Sequence, residues 1–188
     1  MKKILMIMFG LVAFNINAQA ADVTDVTAIN DFKPAEYLGE WYEIARIPFY
    51  FEEQCKAPVK AVYAQSGDDI SVTNSCMTDS GKTDVSNGMA YFVESQNVAK
   101  LKVTFVPSWL RFTHIGRGDY WVLYTDYNYS LVGAPNHKYL WILSRNESAD
   151  VSQVTKLLSI AHEQEFDTNK LVFNYPQFES LIDTQESK

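Results

Sequence analysis

The sequence has few basic residues relative to acidic ones, and this shortage excludes one class of partner. Of 188 residues, 16 are Lys or Arg and 23 are Asp or Glu, so the formal net charge is −7. A chain without a basic stripe lacks the phosphate contacts that dominate nucleic-acid affinity. Anionic lipid head groups would also repel it. We therefore expect no nucleic-acid partner.

Histidine is scarce as well, and the motifs of common catalytic sites are missing. His114, His137 and His162 show no spacing typical of metal ligands. The chain contains neither a Gly-x-Ser-x-Gly motif nor a phosphate-binding loop. The sequence therefore predicts no metal, no cofactor and no catalytic residue.

No apolar run reaches the roughly 20 residues needed to cross a bilayer. The longest opens the chain, where Lys2 and Lys3 precede an apolar segment over 4–14 that small residues follow at 18–20. This pattern is typical of a signal peptide, with a membrane helix as the alternative. We expect residues 1–20 to be cleaved, which changes the formal charge from −7 to −9 by removing two lysines. Residues 21–34 then form an N-terminal extension.

The chain has only two cysteines, Cys55 and Cys76, which flank an expected hairpin turning at 66–68. Both would lie at the end of that hairpin far from its turn, so an exported chain could join them in one disulfide. Two free buried thiols are the alternative. Because Cys55 lies far beyond the expected cleavage site, we do not expect a lipid-modified cysteine. The sequence favours a periplasmic or secreted protein over one associated with the outer membrane.

Aromatic residues, in contrast, are abundant, with 11 Tyr and 11 Phe, which suits strands and apolar pockets. Apolar and polar residues alternate in short runs that polar or Gly-containing turns separate. The gaps between runs are too short for crossover helices, so neighbouring strands should pair antiparallel. This predicts an all-β fold, an eight-stranded up-and-down β-barrel, with a β-sandwich as the alternative. The runs are 41–47, 59–65, 70–76, 88–93, 101–106, 120–125, 130–133 and 139–145.

A helix should follow the last run and pack outside the barrel. Ser148 is the expected N-cap, with Asp150 in the first turn. Apolar residues then recur at helical spacing, at Val151, Val154, Leu158 and Ala161. Residues 171–173 suggest a short final strand at a sheet edge, and residues 176–188 a C-terminal tail that is polar from residue 183.

Three short motifs occur in order along the predicted barrel. Gly39 and Trp41 begin the first strand, Thr125, Asp126 and Tyr127 form the turn after the sixth, and Arg145 ends the eighth. Together they resemble the motifs of the lipocalin family. The stretch from 39 to 46 is similar to bacterial lipocalins and their animal relative apolipoprotein D. The resemblance covers residues 35–175 and implies a barrel that binds a small apolar ligand without catalysis.

In an up-and-down barrel these three motifs meet at one rim. There the indole of Trp41 can stack on the guanidinium of Arg145 and close the barrel, a contact of about 0.5 to 2 kcal/mol. The turn at 125–129 is one residue shorter than the family's usual pattern. The family's positions therefore match strand seven of this chain less closely.

If Trp41 points inward, the alternation of side chains assigns the lining of the barrel interior. The resemblance implies that Tyr37, Tyr63, Asn74, Phe105 and Trp141 line a ligand pocket, and alternation adds Phe92 and Tyr120 to these ligand-binding candidates. A barrel of this size can also be filled by its own side chains, which is the alternative. The other predicted interior residues are Glu43, Ala45, Val59, Ala61, Ile70, Val72, Ala90, Leu101, Val103, Val122, Tyr139 and Leu143.

The loops at the opposite, open rim are rich in aromatic residues. Phe49 and Phe51 lie in the first loop, and Trp109, Arg111 and Phe112 lie in the third. Apolar loop residues above an apolar cavity suggest a lid, an entrance for acyl chains or a peripheral membrane contact, with arginines facing a phosphate or carboxylate. Packing back onto the barrel is the alternative.

The sequence thus predicts an exported, monomeric or homodimeric carrier of a fatty acid, a lysophospholipid or a similar lipid. A few lipocalins modify lipids, one type with a free cysteine inside the barrel, so a lipid-modifying enzyme is one alternative. An interaction module that binds protein through its aromatic loops, with a filled interior, is the other.

Overall fold

The computed structural model describes residues 26–183; the expected signal peptide and the polar residues 184–188 lie outside that range. These residues form nine strands, three α-helices and four short 3-10 helices. The strands are β1 (Gly39–Arg46), β2 (Cys55–Ser66), β3 (Asp69–Thr78), β4 (Thr83–Phe92), β5 (Lys100–Thr104), β6 (Arg117–Thr125), β7 (Tyr129–Gly133), β8 (Leu140–Ser144) and β9 (Val172–Phe173). The α-helices are α1 (Pro34–Tyr37), α2 (Val151–Glu163) and α3 (Ser180–Asp183), and short 3-10 helices span Tyr50–Glu52, Ser108–Thr113, Thr168–Lys170 and Pro176–Phe178.

The first eight strands form a closed antiparallel barrel. Consecutive strands pair from β2 to β8, and β1 pairs with both β2 and β8, which closes the sheet. Alternation along β3 shows why the sequence folds this way: Ile70 and Val72 are buried, whereas the residues that follow each of them, Ser71 and Thr73, are partly exposed. β9 adds to the outer edge of β1. The predicted barrel, outer helix and short final strand are confirmed.

A β-bulge interrupts β1 and overturns one expectation. The pairing of β1 with β8 shifts between Glu43 and Ala45, so strict alternation fails there. The prediction that Ala45 faces the barrel interior is wrong. Ala45 pairs with Phe173 and belongs to the apolar core outside the barrel.

That outer core lies between the barrel wall and α2. Val154, Leu158 and Ala161 are fully buried against the barrel, whereas Val151 is half exposed at the start of the helix. The N-cap is Asp150, not Ser148 as predicted, because its carboxylate accepts a hydrogen bond of 2.7 Å from the Ser152 amide.

The packed chain is longer than the predicted domain at both ends. Phe178 is fully buried in the outer core, beyond the predicted boundary at residue 175. Phe32, in the predicted N-terminal extension, is buried inside the barrel against Tyr37. Within residues 26–183, no helix has the length and hydropathy needed to cross a membrane.

Candidate functional site: the barrel cavity

Trp41 and Arg145 close one end of the barrel, as the motifs predict. The guanidinium carbon lies 3.8 Å from the centroid of the fully buried indole. Arg145 also donates hydrogen bonds to the carbonyls of Tyr127, Glu40 and Glu36, at 3.1, 2.8 and 2.9 Å. One side chain thus ties together α1, β1 and the turn after β6.

Local geometry explains why the first motif has a glycine at position 39 and why the turn after β6 has the sequence Thr125-Asp126-Tyr127. Gly39 has a φ of +97°, and a Cβ there would approach Arg145 Nη1 to 3.3 Å, so glycine relieves both strain and crowding. In the turn, Asp126 Oδ1 accepts from the amides of Asn128 and Tyr129, and Thr125 Oγ1 accepts from the Tyr127 amide. These bonds hold the Tyr127 carbonyl towards Arg145.

Above this closed end, tyrosine hydroxyls form a buried layer that we call the floor, made of Tyr37, Tyr63, Tyr120 and Ser130. The Tyr120 hydroxyl lies 3.0 Å from that of Tyr37 and 2.8 Å from that of Tyr63. The Tyr37 hydroxyl also lies 3.1 Å from Ser130 Oγ. Burial raises the pKa of Tyr37 to about 12 and raises those of Tyr63 and Tyr120 above their ordinary values. The floor is therefore a neutral, hydrogen-bonded layer.

A cavity of about 430 Å³ lies between the floor and the open rim. Its wall is mostly apolar and aromatic. Five of the seven ligand-binding candidates lie on this wall, namely Tyr63, Asn74, Phe105, Tyr120 and Trp141. The wall also contains Val59, Ala61, Val72, Ala90, Val103, Tyr139 and Leu143, all predicted to face inward.

Five further predicted positions, Tyr37, Phe92, Ile70, Leu101 and Val122, lie below the cavity. Tyr37 and Phe92 pack against Phe32 at the closed end and do not line the cavity, in contrast to the prediction. The physical reason is that Phe32 and α1 fill the barrel there. Ile70, Leu101 and Val122 line a small gap among the floor residues. Ligand contact itself stays a prediction for all of these residues.

A buried charge network interrupts the apolar wall on the β1 side. Arg46 Nη1 lies 2.8 Å from Glu43 Oε1, and Arg46 Nε lies 3.2 Å from Glu52 Oε2. Asn174, just after β9, donates to Glu43 Oε1 at 2.9 Å. Glu43 and Glu52 line the cavity, so two carboxyl groups share one guanidinium at the wall.

The sequence predicted an interior Glu43 but missed its partners Arg46 and Glu52. The bulge after Glu43 turns Arg46, rather than Ala45, towards Glu43, and a bulge leaves no trace in the alternation pattern. Glu52 lies in the 3-10 helix of the first loop, where no alternation applies. Burial, and then the neighbouring Glu43, raise the pKa of Glu52 to about 8, against the opposing effect of Arg46.

The aromatic residues of the open rim divide into two groups. Phe49 and Phe51 line the cavity, with the Phe49 ring edge-on to Trp141 at 5.6 Å. Trp109 and Phe112, on the 3-10 helix after β5, are 69% and 79% exposed, so neither packs back onto the barrel. Arg111 donates through Nε to the Val106 carbonyl at 3.1 Å.

The disulfide between Cys55 and Cys76 is confirmed, with 5.4 Å between the two Cα atoms. Both cysteines border the cavity, where the bond joins the start of β2 to β3. Neither is available as a free thiol. Among residues 26–183, no group of three or more His, Cys, Asp or Glu side chains is placed to hold a metal ion.

A closed eight-stranded antiparallel barrel with an outer helix, one sealed end and one open apolar cavity is the architecture of small calyx-shaped barrel proteins. The model of the Lipocalin-like domain family matches residues 33–176. The chain belongs to the lipocalin family, whose members generally bind small hydrophobic ligands.

Named relatives agree with this assignment. The chain is 32% identical to the outer membrane lipoprotein Blc of Vibrio cholerae, over 79% of this chain and 85% of that protein. It is 33% identical to apolipoprotein D of Macaca fascicularis, over 79% of this chain and 81% of that protein. Among solved structures, insecticyanin of the tobacco hornworm Manduca sexta superposes with a TM-score of 0.63 at 27% identity, covering 80% of this chain and 84% of that one. The predicted resemblance to bacterial lipocalins and apolipoprotein D is confirmed.

Proposed function

We propose that this protein is an exported carrier that holds one small hydrophobic molecule, of the fatty acid or lysophospholipid class, in its barrel cavity. The observation that carries the proposal is the open cavity of about 430 Å³ above a sealed floor. Small-molecule sites typically measure about 300 to 1,000 Å³ and are mostly apolar with a few polar groups. The alternative of an interaction module with a filled interior does not account for this space.

The aromatic wall suits an alkyl chain. Phe49, Tyr139 and Trp141 form a run of contacting rings along one side of the cavity. Each methylene transferred from water to such a surface contributes about 0.8 kcal/mol. An alkyl chain of several methylenes would therefore gain several kcal/mol of binding free energy even without a specific polar contact.

One feature of the chain and one of its relatives support the proposal that the protein is exported. The Cys55–Cys76 disulfide suits an oxidising compartment such as the periplasm or the extracellular medium. The relative from Vibrio cholerae is by name an outer membrane protein. Periplasmic or secreted location is our proposal for this chain.

A binding role without catalysis fits the groups at the cavity. One type of lipid-modifying lipocalin uses a free cysteine inside the barrel, and both cysteines are paired here. The two buried carboxyl groups on the wall, those of Glu43 and Glu52, lie against Arg46 at 2.8 and 3.2 Å rather than standing as an isolated acid or base.

The exposed aromatic residues beside the open rim suggest where a bilayer could be touched during loading. Trp109 and Phe112 would enter the interface, since aromatic rings favour that depth. We expect Trp109→Ala to weaken partitioning onto neutral phosphatidylcholine vesicles in a sedimentation assay. Equal partitioning of the variant and the wild type would exclude this contact.

A cavity-filling substitution tests the carrier proposal directly. Ala61 lies on the cavity wall, whereas Ala64 on the same strand is exposed to solvent. We expect Ala61→Phe to abolish displacement of a fluorescent fatty acid probe, and the matched control Ala64→Phe to bind like the wild type. Equal probe binding by both variants would show that the ligand is held outside the barrel.

A further inference from the structure

The charged side chains around the cavity are predominantly acidic. Four acidic residues border it, Glu43, Glu52, Asp84 and Asp119, of which Asp119 is paired with Lys102 at 2.7 Å. Of the described residues on the wall, Lys60 alone is basic, and its ammonium is occupied by Glu40 at 3.4 Å and by the Tyr42 ring at 4.5 Å. An anionic ligand end would find no unpaired cation on this wall.

We propose that the polar end of the ligand that rests against Glu43 and Glu52 is a hydrogen-bond donor with a positive charge, such as a protonated amine. The inference rests on the proposed function, because it specifies the chemistry of the molecule held in the same cavity. Single-chain amines, and amphiphiles that end in an ammonium group, should therefore bind more tightly than free fatty acids.

Arg46 is the cation that could have received a carboxylate, but both of its terminal nitrogens already donate hydrogen bonds within the protein. Nη1 donates to Glu43 Oε1 at 2.8 Å and to Asn174 Oδ1 at 3.3 Å. Nη2 donates to the Glu52 carbonyl at 3.2 Å, whereas Nε lies 3.2 Å from Glu52 Oε2 without a hydrogen bond between them. Arg46 is only 7% exposed and is absent from the cavity lining. A ligand carboxylate would have to displace one of these partners.

The balance of charge favours a cation. When both glutamates are ionised they carry two negative charges against the single positive charge of Arg46, and Glu43 is only 5% exposed. In such a poorly hydrated place a third carboxylate adds repulsion, whereas an ammonium can take the place of the proton that burial beside Glu43 keeps on Glu52. An ammonium also offers three donors and no acceptor.

A second polar group on the wall points the same way. Asn74 Oδ1 lies on the wall of β3, is shielded from solvent and accepts no hydrogen bond from any described residue. A buried acceptor without a donor is unfavourable by about 1 to 3 kcal/mol. A ligand with an N–H or O–H group can satisfy it, and a carboxylate cannot.

Three probes with one alkyl chain and different end groups test the inference: dodecylamine, dodecanol and dodecanoate. Binding is measured by isothermal titration calorimetry at about pH 7, where the amine is protonated and the acid ionised. We expect the amine to bind at least about tenfold more tightly than dodecanoate, the effect of one charge-assisted hydrogen bond. Dodecanol should fall between them.

Proton release gives a second readout. The groups facing Glu52 are Glu43 and Arg46 from β1 and the indole of Trp141 from β8, and burial beside Glu43 raises the pKa of Glu52. An ammonium placed there should therefore displace a proton, which appears as a dependence of the binding heat on the ionisation enthalpy of the buffer. Dodecanol should release none.

The variant Glu52→Gln should reduce the preference for the amine towards parity with dodecanol. The control Glu163→Gln removes one exposed charge from α2 and should leave the preference intact. Tighter or equal binding of dodecanoate to the wild type would overturn the inference and leave the carrier proposal standing. Failure of all three probes to bind would overturn both. The wild-type ranking decides the question even if Glu52→Gln does not fold.

Discussion

Glu52 provides a direct test of the buried charge network, because its ionisation should couple to folding. Burial next to Glu43 raises its pKa from an ordinary 4.5 to about 8. The folded protein therefore holds a proton that the unfolded chain has already released. The stability contributed by this proton is fully present below pH 4.5 and is lost as the pH rises towards about 8.

The magnitude follows from linkage. One proton bound by the folded state and absent from the unfolded state changes the free energy of unfolding by about 1.4 kcal/mol per pH unit. Glu52→Gln cannot bind this proton. The difference in unfolding free energy, wild type minus variant, should therefore fall by about 1.4 kcal/mol for each unit between about pH 5 and pH 8.

Urea unfolding followed by tryptophan fluorescence, at several pH values across this window, measures the difference. Taking a difference removes the titration of groups shared by both proteins, and Glu163→Gln controls for loss of one exposed carboxylate. A difference that stays constant, or that grows with pH, would refute the protonated, buried state of Glu52.

Three further predictions concern the frame of the barrel. Arg145→Ala should lower the free energy of unfolding by about 2 to 4 kcal/mol through loss of the indole contact and the carbonyl bonds; a loss below about 1 kcal/mol in urea unfolding would contradict their importance. Replacing Cys55 and Cys76 together by serine should lower the free energy of unfolding by about 2 to 4 kcal/mol relative to the disulfide-bonded wild type. The reduced wild type should match the variant, and a variant as stable as the disulfide-bonded protein would contradict this contribution. Gly88→Ala places a Cβ 2.7 Å from a carbonyl oxygen of the neighbouring strand, whereas Gly118→Ala meets nothing within 4 Å. We expect the first to lower the midpoint of thermal unfolding and the second to leave it unchanged, and equal midpoints would count against the backbone crowding.

Alternation of side chains predicted the barrel well, because one face of each strand is buried and the other is solvated. β3 shows this in the buried Ile70 and Val72. The closing contact between Trp41 and Arg145 was predictable because the motif positions fall at one rim whenever the strands run up and down.

The remaining features depend on contacts that no local pattern encodes. The bulge in β1 moves Ala45 outward and brings Arg46 to Glu43. Glu52 joins them from a loop, where the sequence offers no periodicity. Tyr37 was expected at the cavity and lies below it, because residues before β1 fold into the closed end.

The central proposal is that the cavity holds a small hydrophobic molecule. Native mass spectrometry of the protein purified from its own source, with lipid extraction of whatever accompanies it, tests this most directly. We predict a bound amphiphile that is released by organic solvent and is absent from Ala61→Phe. A mass equal to the protein alone, together with no binding of added alkyl probes, would contradict the account and make the exposed aromatic residues at the open rim the functional surface.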